Sequence, residues 1–185
     1  MTHRFRTARL ILRAWSEEDR PALERMSGDA LMMRHVAGRP WTADEVSGFL
    51  DRQRRWLDLH GTCIGAVEWA ETAEVIGVAG LQPLTTGEFE LAWWTWRPWW
   101  GRGIAPEAIA PYVVQAREEL GLDHCVAVIA PGNAASIAVA RKLGMELDRE
   151  VPGETTRPGR GQALVHVYRL DFEKPARRRR RDMPE

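Results

Sequence analysis

One junction restricts the folds open to this chain more than any other feature. The run Phe89 to Trp96 reads as a strand and Ala105 to Leu120 as a helix, with Arg97-Pro-Trp-Trp-Gly-Arg-Gly-Ile104 between them. Glycines at 101 and 103 let the backbone turn tightly and leave its N–H groups uncovered by side chains. The following helix presents its positive end at the same point, so an anion placed there meets unpaired amides and a favourable dipole together. Strand, glycine turn and helix in this order require an α/β architecture with a phosphate-binding turn at the strand's C-terminal end.

Two familiar phosphate turns do not match. A Walker A loop ends in Gly-Lys-Ser/Thr, which is absent here. A dinucleotide fingerprint requires a third glycine where this chain has Pro106, and its acidic residue should close the next strand, whereas Asp123 precedes His124 to Val128. Too little chain follows the helix for a doubly wound sheet.

The pattern that remains is Q/R-x-x-G-x-G/A, present as Trp100-Gly-Arg-Gly103-Ile-Ala105, with tryptophan in the Gln/Arg position. Further along stands Pro131-Gly-Asn133-Ala-Ala-Ser136-Ile-Ala-Val-Ala-Arg-Lys142-Leu-Gly-Met145, which fits N-x-x-S-x-x-x-x-x-K-L-G-F with methionine for the final aromatic. In this order and spacing the chain resembles the GCN5-related N-acetyltransferase (GNAT) superfamily. Thr7-Ala-Arg-Leu-Ile-Leu-Arg13 and Ile76-Gly-Val-Ala-Gly80 resemble the branch that acetylates ribosomal-protein N-termini, together with its small-molecule-acting relatives. The resemblance runs from about residue 7 to about 172.

The resemblance implies a fold. It is an α/β (α+β) arrangement with a central, mixed, mostly antiparallel twisted sheet of about seven strands flanked by helices. A splayed parallel strand pair, Phe89 to Trp96 with His124 to Ile129, forms the acyl-coenzyme A cleft. It also implies acetyl-coenzyme A as co-substrate and no metal. Trp94, Thr95 and Trp96 would meet the pantetheine arm through their backbone, and Trp100, Gly101, Arg102, Gly103, Ile104 and Ala105 the pyrophosphate. Asn133 would bind a pantetheine amide. A main-chain N–H at Trp93 or Trp94 would steady the oxyanion.

Side-chain roles in catalysis are fewer. An alkylammonium must lose its proton before it can attack a thioester. Glu90 stands where many relatives carry a strand carboxylate and is the first candidate for the base; the alternative is an ion pair with an arginine on a neighbouring strand. Glu154, in a Pro-, Gly- and Thr-rich stretch near the substrate entrance, is the second. No tyrosine follows Asn133 to protonate the departing thiolate, and Ser136 matches the serine some relatives use; its structural alternative is a helix N-terminal residue that only bonds backbone.

The rest of the chain is consistent with this reading. At 185 residues and 44 % hydrophobic content it should form one domain, residues 1–173, with a basic tail from 174 to 185. A net charge of zero argues against a nucleic-acid partner, and the run Arg177 to Arg181 reads as a solvated tail. Cys63 and Cys125 are isolated, and the start lacks an apolar signal core, so a cytoplasmic location is expected, with no membrane contact. His35, His60, His124 and His166 are dispersed and form no metal pattern. Nine tryptophans, five of them between positions 93 and 100, favour an acceptor with an apolar or aromatic part, or a cationic one held on ring faces. The acceptor is then an amine, either a protein N-terminus or a small molecule, and a homodimer is compatible with the branch. A non-catalytic acyl-coenzyme A sensor, or an enzyme using another acyl-coenzyme A, is the alternative function. Pro111, inside the helix after the turn, should force a bend.

Overall fold

Consecutive apolar residues along the central strands bury both faces of one sheet, and helices close over each. A computed structural model describes residues 4–158 and 160–172; the basic tail from 174 lies outside them. The strands are β1 (Arg4–Arg6), β2 (Leu10–Arg13), β3 (Ile64–Trp69), β4 (Val75–Pro83), β5 (Phe89–Thr95), β6 (His124–Ile129), β7 (Glu146–Pro152) and β8 (Leu164–Asp171). They form one sheet in the order β1-β2-β3-β4-β5-β6-β8-β7. Every neighbouring pair is antiparallel except β5 with β6.

Eight strands are present rather than about seven. Neither β1 nor β7 was legible, for a physical reason. Both lie at sheet edges, and β7 (Glu-Leu-Asp-Arg-Glu-Val-Pro) is largely exposed and polar, so no period-two pattern marks it.

The helices are α1 (Arg20–Ser27), α2 (Ala30–Met33), α3 (Ala43–His60), α4 (Ile104–Val114), α5 (Ala134–Lys142) and α6 (Gly153–Thr156). On one face α4 packs Ile104, Ala108, Ile109 and Tyr112 against Leu12, Ala79, Leu91 and Ala127 of the sheet. On the other, Leu23 of α1 and Val46, Phe49 and Leu50 of α3 cover Ile64 and Val78. The capping box read at Thr42 is present: Thr42 N–H donates to Glu45 at 2.8 Å, and Glu45 N–H to Thr42 Oγ1 at 3.3 Å.

The α4 helix runs through Pro111 and then opens into a wide turn over Gln115–Glu119, where Leu120 N–H reaches Gln115 O at 3.0 Å. A wide turn four residues past a proline relieves the lost i→i−4 bond without ending the helix. It also turns the buried Gln115 inward, where its amide accepts from Thr62 Oγ1 at 3.0 Å and donates to Gly61 O at 3.2 Å.

A cluster at the start of α4 holds the glycine turn in place. Glu107 accepts from Thr7 Oγ1 (2.6 Å), Arg9 N (3.0 Å) and Arg9 Nε (2.8 Å), and Arg9 Nη2 also donates to Arg102 O at 3.0 Å. The Thr7-Ala-Arg9 segment therefore ties the lead-in of β2 to the turn before α4. Charge-assisted bonds contribute more than neutral ones, but Arg9 is well exposed and solvent screens the pair. We expect Glu107→Ala to lower stability by about 1 kcal/mol, seen as a fall in Tm of roughly 2–4 °C. Unchanged thermal unfolding would mean the cluster is ornamental.

Candidate active site

The site grows out of one unfinished strand ladder. β5 and β6 share a single register pair, Glu90 with Val126, and then part. Hydrogen-bonding direction alternates along a strand, so the antiparallel partner β4 reveals which groups are left over. Trp96 N–H donates to Ile76 O at 2.6 Å, and at the other end Leu84 N–H donates to Glu88 O at 2.8 Å. Even-numbered residues of β5 therefore spend their backbone groups on β4. The main-chain groups of Trp93 and Thr95 face the gap where β6 has turned away. This corrects the expectation that Trp94 and Trp96 offer their backbone to a ligand. Thr95 O is covered by Trp100, whose indole N–H donates to it at 2.7 Å.

At the open end of the gap lies the glycine turn. Gly101 and Gly103 have φ of 73° and 72°, a left-handed geometry that other residues adopt only with strain. Gly103 is the N-cap of α4 and brings no side chain to the first-turn amides, which stay available to an anion. A cavity of about 390 Å³ begins here and runs past Thr95, Trp100, Ile104, Ala105 and Lys142. The Arg102 side chain does not line it; its guanidinium lies 4.8 Å from the ring centre of Trp99.

A second cavity, of about 640 Å³, opens on the opposite face of β5, beneath α3. Trp94 forms its wall, edge-on to Trp41 with ring centres 5.8 Å apart. Both cavities are lined by Trp93, Trp94, Asn133 and Ser136, so they meet at the mouth of the splay. Trp93 Nε1 is buried there without a hydrogen-bond partner among the described residues. Asn133 caps α5, its Oδ1 accepting from Ser136 N–H at 3.2 Å. That bond uses the Ser136 main chain and leaves its hydroxyl at the junction.

Glu90 lines the second cavity and is 2 % exposed. Its carboxylate is bonded by Arg157, by Arg160 at 3.2 Å and by Gln82 Nε2. Burial pushes its pKa up, but the two guanidinium groups and the Gln82 amide outweigh this and hold it below the usual carboxylate value. The ion-pair alternative is thus what the structure contains, with the arginines supplied by the segment after α6 rather than by a neighbouring strand. A carboxylate so held is a weak base. The Glu154 carboxylate accepts from Gly161 N–H at 3.1 Å, a contact within its own loop.

Other reactive groups are quiet. Burial pushes the thiols of Cys63 and Cys125 up to about 12, which removes them as nucleophiles near neutral pH. No group of three or more metal-ligating side chains occurs among the described residues, and no helix there is long and apolar enough to cross a membrane. The segment Arg34-His35-Val36 lines both cavities and was not anticipated. It follows a single-turn helix with no motif, so only the folded chain brings it to the splay.

These features have close parallels. A family model described as an acetyltransferase (GNAT) domain matches residues 9–146. An uncharacterized N-acetyltransferase of Bacillus licheniformis is 26 % identical over 171 residues, covering 91 % of this chain and 94 % of that protein. The crystal structure of an acetyltransferase from Agrobacterium tumefaciens is similar with a TM-score of 0.78 and 29 % identity, covering 91 % of this chain and 94 % of that one. RimL, a ribosomal-protein α-N-acetyltransferase solved in complex with coenzyme A, shares the fold at a TM-score of 0.73 and 18 % identity, covering 90 % and 96 % of the two chains. A splayed parallel pair, a glycine turn at a helix N-terminus and a matching family model over most of the chain have one common meaning: this protein belongs to the GNAT acetyltransferase family and is an acyltransferase.

Proposed function

We propose that this enzyme transfers the acetyl group of acetyl-coenzyme A to a primary amine, by direct attack while both substrates share the cleft. The observation that carries this reading is the meeting of two cavities at the open edge of β5, one ending at the glycine turn and the other beneath α3. Acetyl-coenzyme A supplies an activated thioester. The amides of Gly103, Ile104 and Ala105 receive its pyrophosphate, and the main-chain groups of Trp93 and Thr95 complete their ladder on its pantetheine arm. To admit that arm along Thr95, Trp100 must give up its bond to the Thr95 carbonyl. Asn133, already the cap of α5, lies beside the same arm.

In the reaction the amine nitrogen bonds to the thioester carbon and the carbon–sulfur bond breaks. Trp93 N–H donates to the carbonyl oxygen as it gains charge. Ser136 hands its hydroxyl proton to the departing sulfur and is reprotonated from water. The nitrogen sheds its proton to water in the second cavity, because Glu90, clamped by Arg157 and Arg160, serves better as a positioning residue than as a base. Holding two reactants in one geometry supplies much of the acceleration, so no strong base is needed.

Three measurements test this reading. Acetyl-coenzyme A at a hundred times its Kd should stabilise the protein by about 2.7 kcal/mol in thermal unfolding, and no shift would defeat the assignment. Ser136→Ala should lower kcat by about a hundredfold while leaving acetyl-coenzyme A affinity unchanged; full activity would remove the serine from the chemistry. For Glu90 the sign follows from its depressed pKa. Its contribution to stability is fully present above the unfolded value of about 4.3 and is lost as pH falls through the folded value. The rate should therefore rise with pH along the acceptor's own titration, with no carboxylate limb near neutrality. A limb that vanishes in Glu90→Gln would restore Glu90 as the base. Binding without turnover across amine classes would favour the sensor reading.

A further inference from the structure

The second cavity has an unusual charge for a chain with zero net charge. Its lining includes the guanidinium groups of Arg34, Arg39, Arg52, Arg157 and Arg160, but only two carboxylates, Glu45 and Glu90. Arg39 is satisfied by Glu45, with a bond of 2.8 Å. Arg157 and Arg160 divide the one carboxylate of Glu90 between them. Arg34 donates to His35 Nε2 at 2.9 Å, and neither Arg34 nor Arg52 has a carboxylate partner among the described residues.

Arg52 is the most informative of these. Its guanidinium lies 5.7 Å from the ring centre of Phe49 and 5.6 Å from that of Trp56, and it donates to Gly48 O at 3.2 Å. Its Nε is buried without a partner, and so is that of Arg157. Burial and the Arg157 charge together lower the pKa of Arg52, the mark of a cation missing its counter-ion. Arg52, Arg157 and Arg160 face the single carboxylate of Glu90, and partly buried cations with orphaned donors are costly unless a further anion joins them. The ring faces of Phe49 and Trp56 already carry Arg52, so they do not invite a cationic acceptor.

We propose that the acceptor is an amine whose other end carries an oxyanion, a carboxylate or a phosphonate, and that Arg52 and Arg157 receive that anion. This deepens the transferase reading and rests on it. The amine end would lie at the junction beside Ser136, the apolar body against Trp41 and Trp94, and the anion under α3. Chains bearing only positive charge, such as diamines, would be repelled by the same cavity.

The test uses matched acceptors that differ only in charge. 6-Aminohexanoate, 6-aminohexanamide, hexylamine and 5-aminopentylphosphonate form one set, with parallel sets built on 4-(aminomethyl)benzoate and 4-(aminomethyl)phenylacetate. Each amine is assayed by thiol release with acetyl-coenzyme A and by calorimetric titration into the coenzyme A-loaded enzyme. The acid or phosphonate should exceed its amide by about ten- to hundredfold in kcat/KM or affinity in the best set. Which of the two oxyanions wins identifies the source of the charge. In Arg52→Met, which keeps the stem on Phe49 and Trp56, the acid-to-amide ratio should collapse toward one, and a ratio within one variant is insensitive to any loss of folded protein. Equal use of acids and amides, a preference for diamines, no binding of any anionic member, or a ratio that survives Arg52→Met would each overturn the assignment. Acetyl-coenzyme A binding in the same samples separates this failure from that of the transferase reading.

Discussion

The parting of β5 from β6 after Glu90 and Val126 is the constraint on which the rest of the site depends. A strand inside a sheet must bond on both sides, and the alternation set by Trp96 with Ile76 leaves Trp93 and Thr95 with groups that no strand receives. The chain answers in part with Trp100, whose indole N–H covers Thr95 O. The same splay opens a passage between the two faces of the sheet, which is why cavities on opposite faces can share Asn133 and Ser136.

Around that gap the supporting parts are fixed by ordinary chemistry. Glu107 and Arg9 pin the turn before α4 from a lead-in segment almost a hundred residues earlier in the chain. Gln115 is buried with its amide satisfied, which the wide turn after Pro111 makes geometrically available. Glu90 draws Arg157 and Arg160 toward the sheet and so ties the loop after α6 to the floor of the second cavity. A residue that reads as a base in isolation becomes, in this setting, an anchor for cations.

Much of the architecture could be read from the residues. The strand–turn–helix at Phe89 to Leu120, the capping box at Thr42 and the Asn133–Ser136 start of α5 are local patterns. Their signals come from φ > 0 at glycine, from caps and from apolar periodicity, all decided within a few residues. The polar edge strand β7 was hidden because it pairs with β8 alone, is largely exposed, and places only Val151 against a buried cluster. The exchange of Trp94 and Trp96 for Trp93 and Thr95 was hidden for another reason: which way a peptide group points depends on the partner strand's register, not on its own side chain.

The sequence alone therefore determined the family, the fold class and the glycine turn at the start of α4, because each is written in short-range spacing and backbone preference. Tertiary structure decided the charge and shape of the second cavity. Arg34 and Arg39 arrive from the segment after α2, Arg52 from α3, and Arg157 and Arg160 from the segment after α6. Their shortage of carboxylates is a property of a place where distant segments meet. In a chain with balanced total charge, no local pattern announces that five guanidinium groups will gather around two carboxylates.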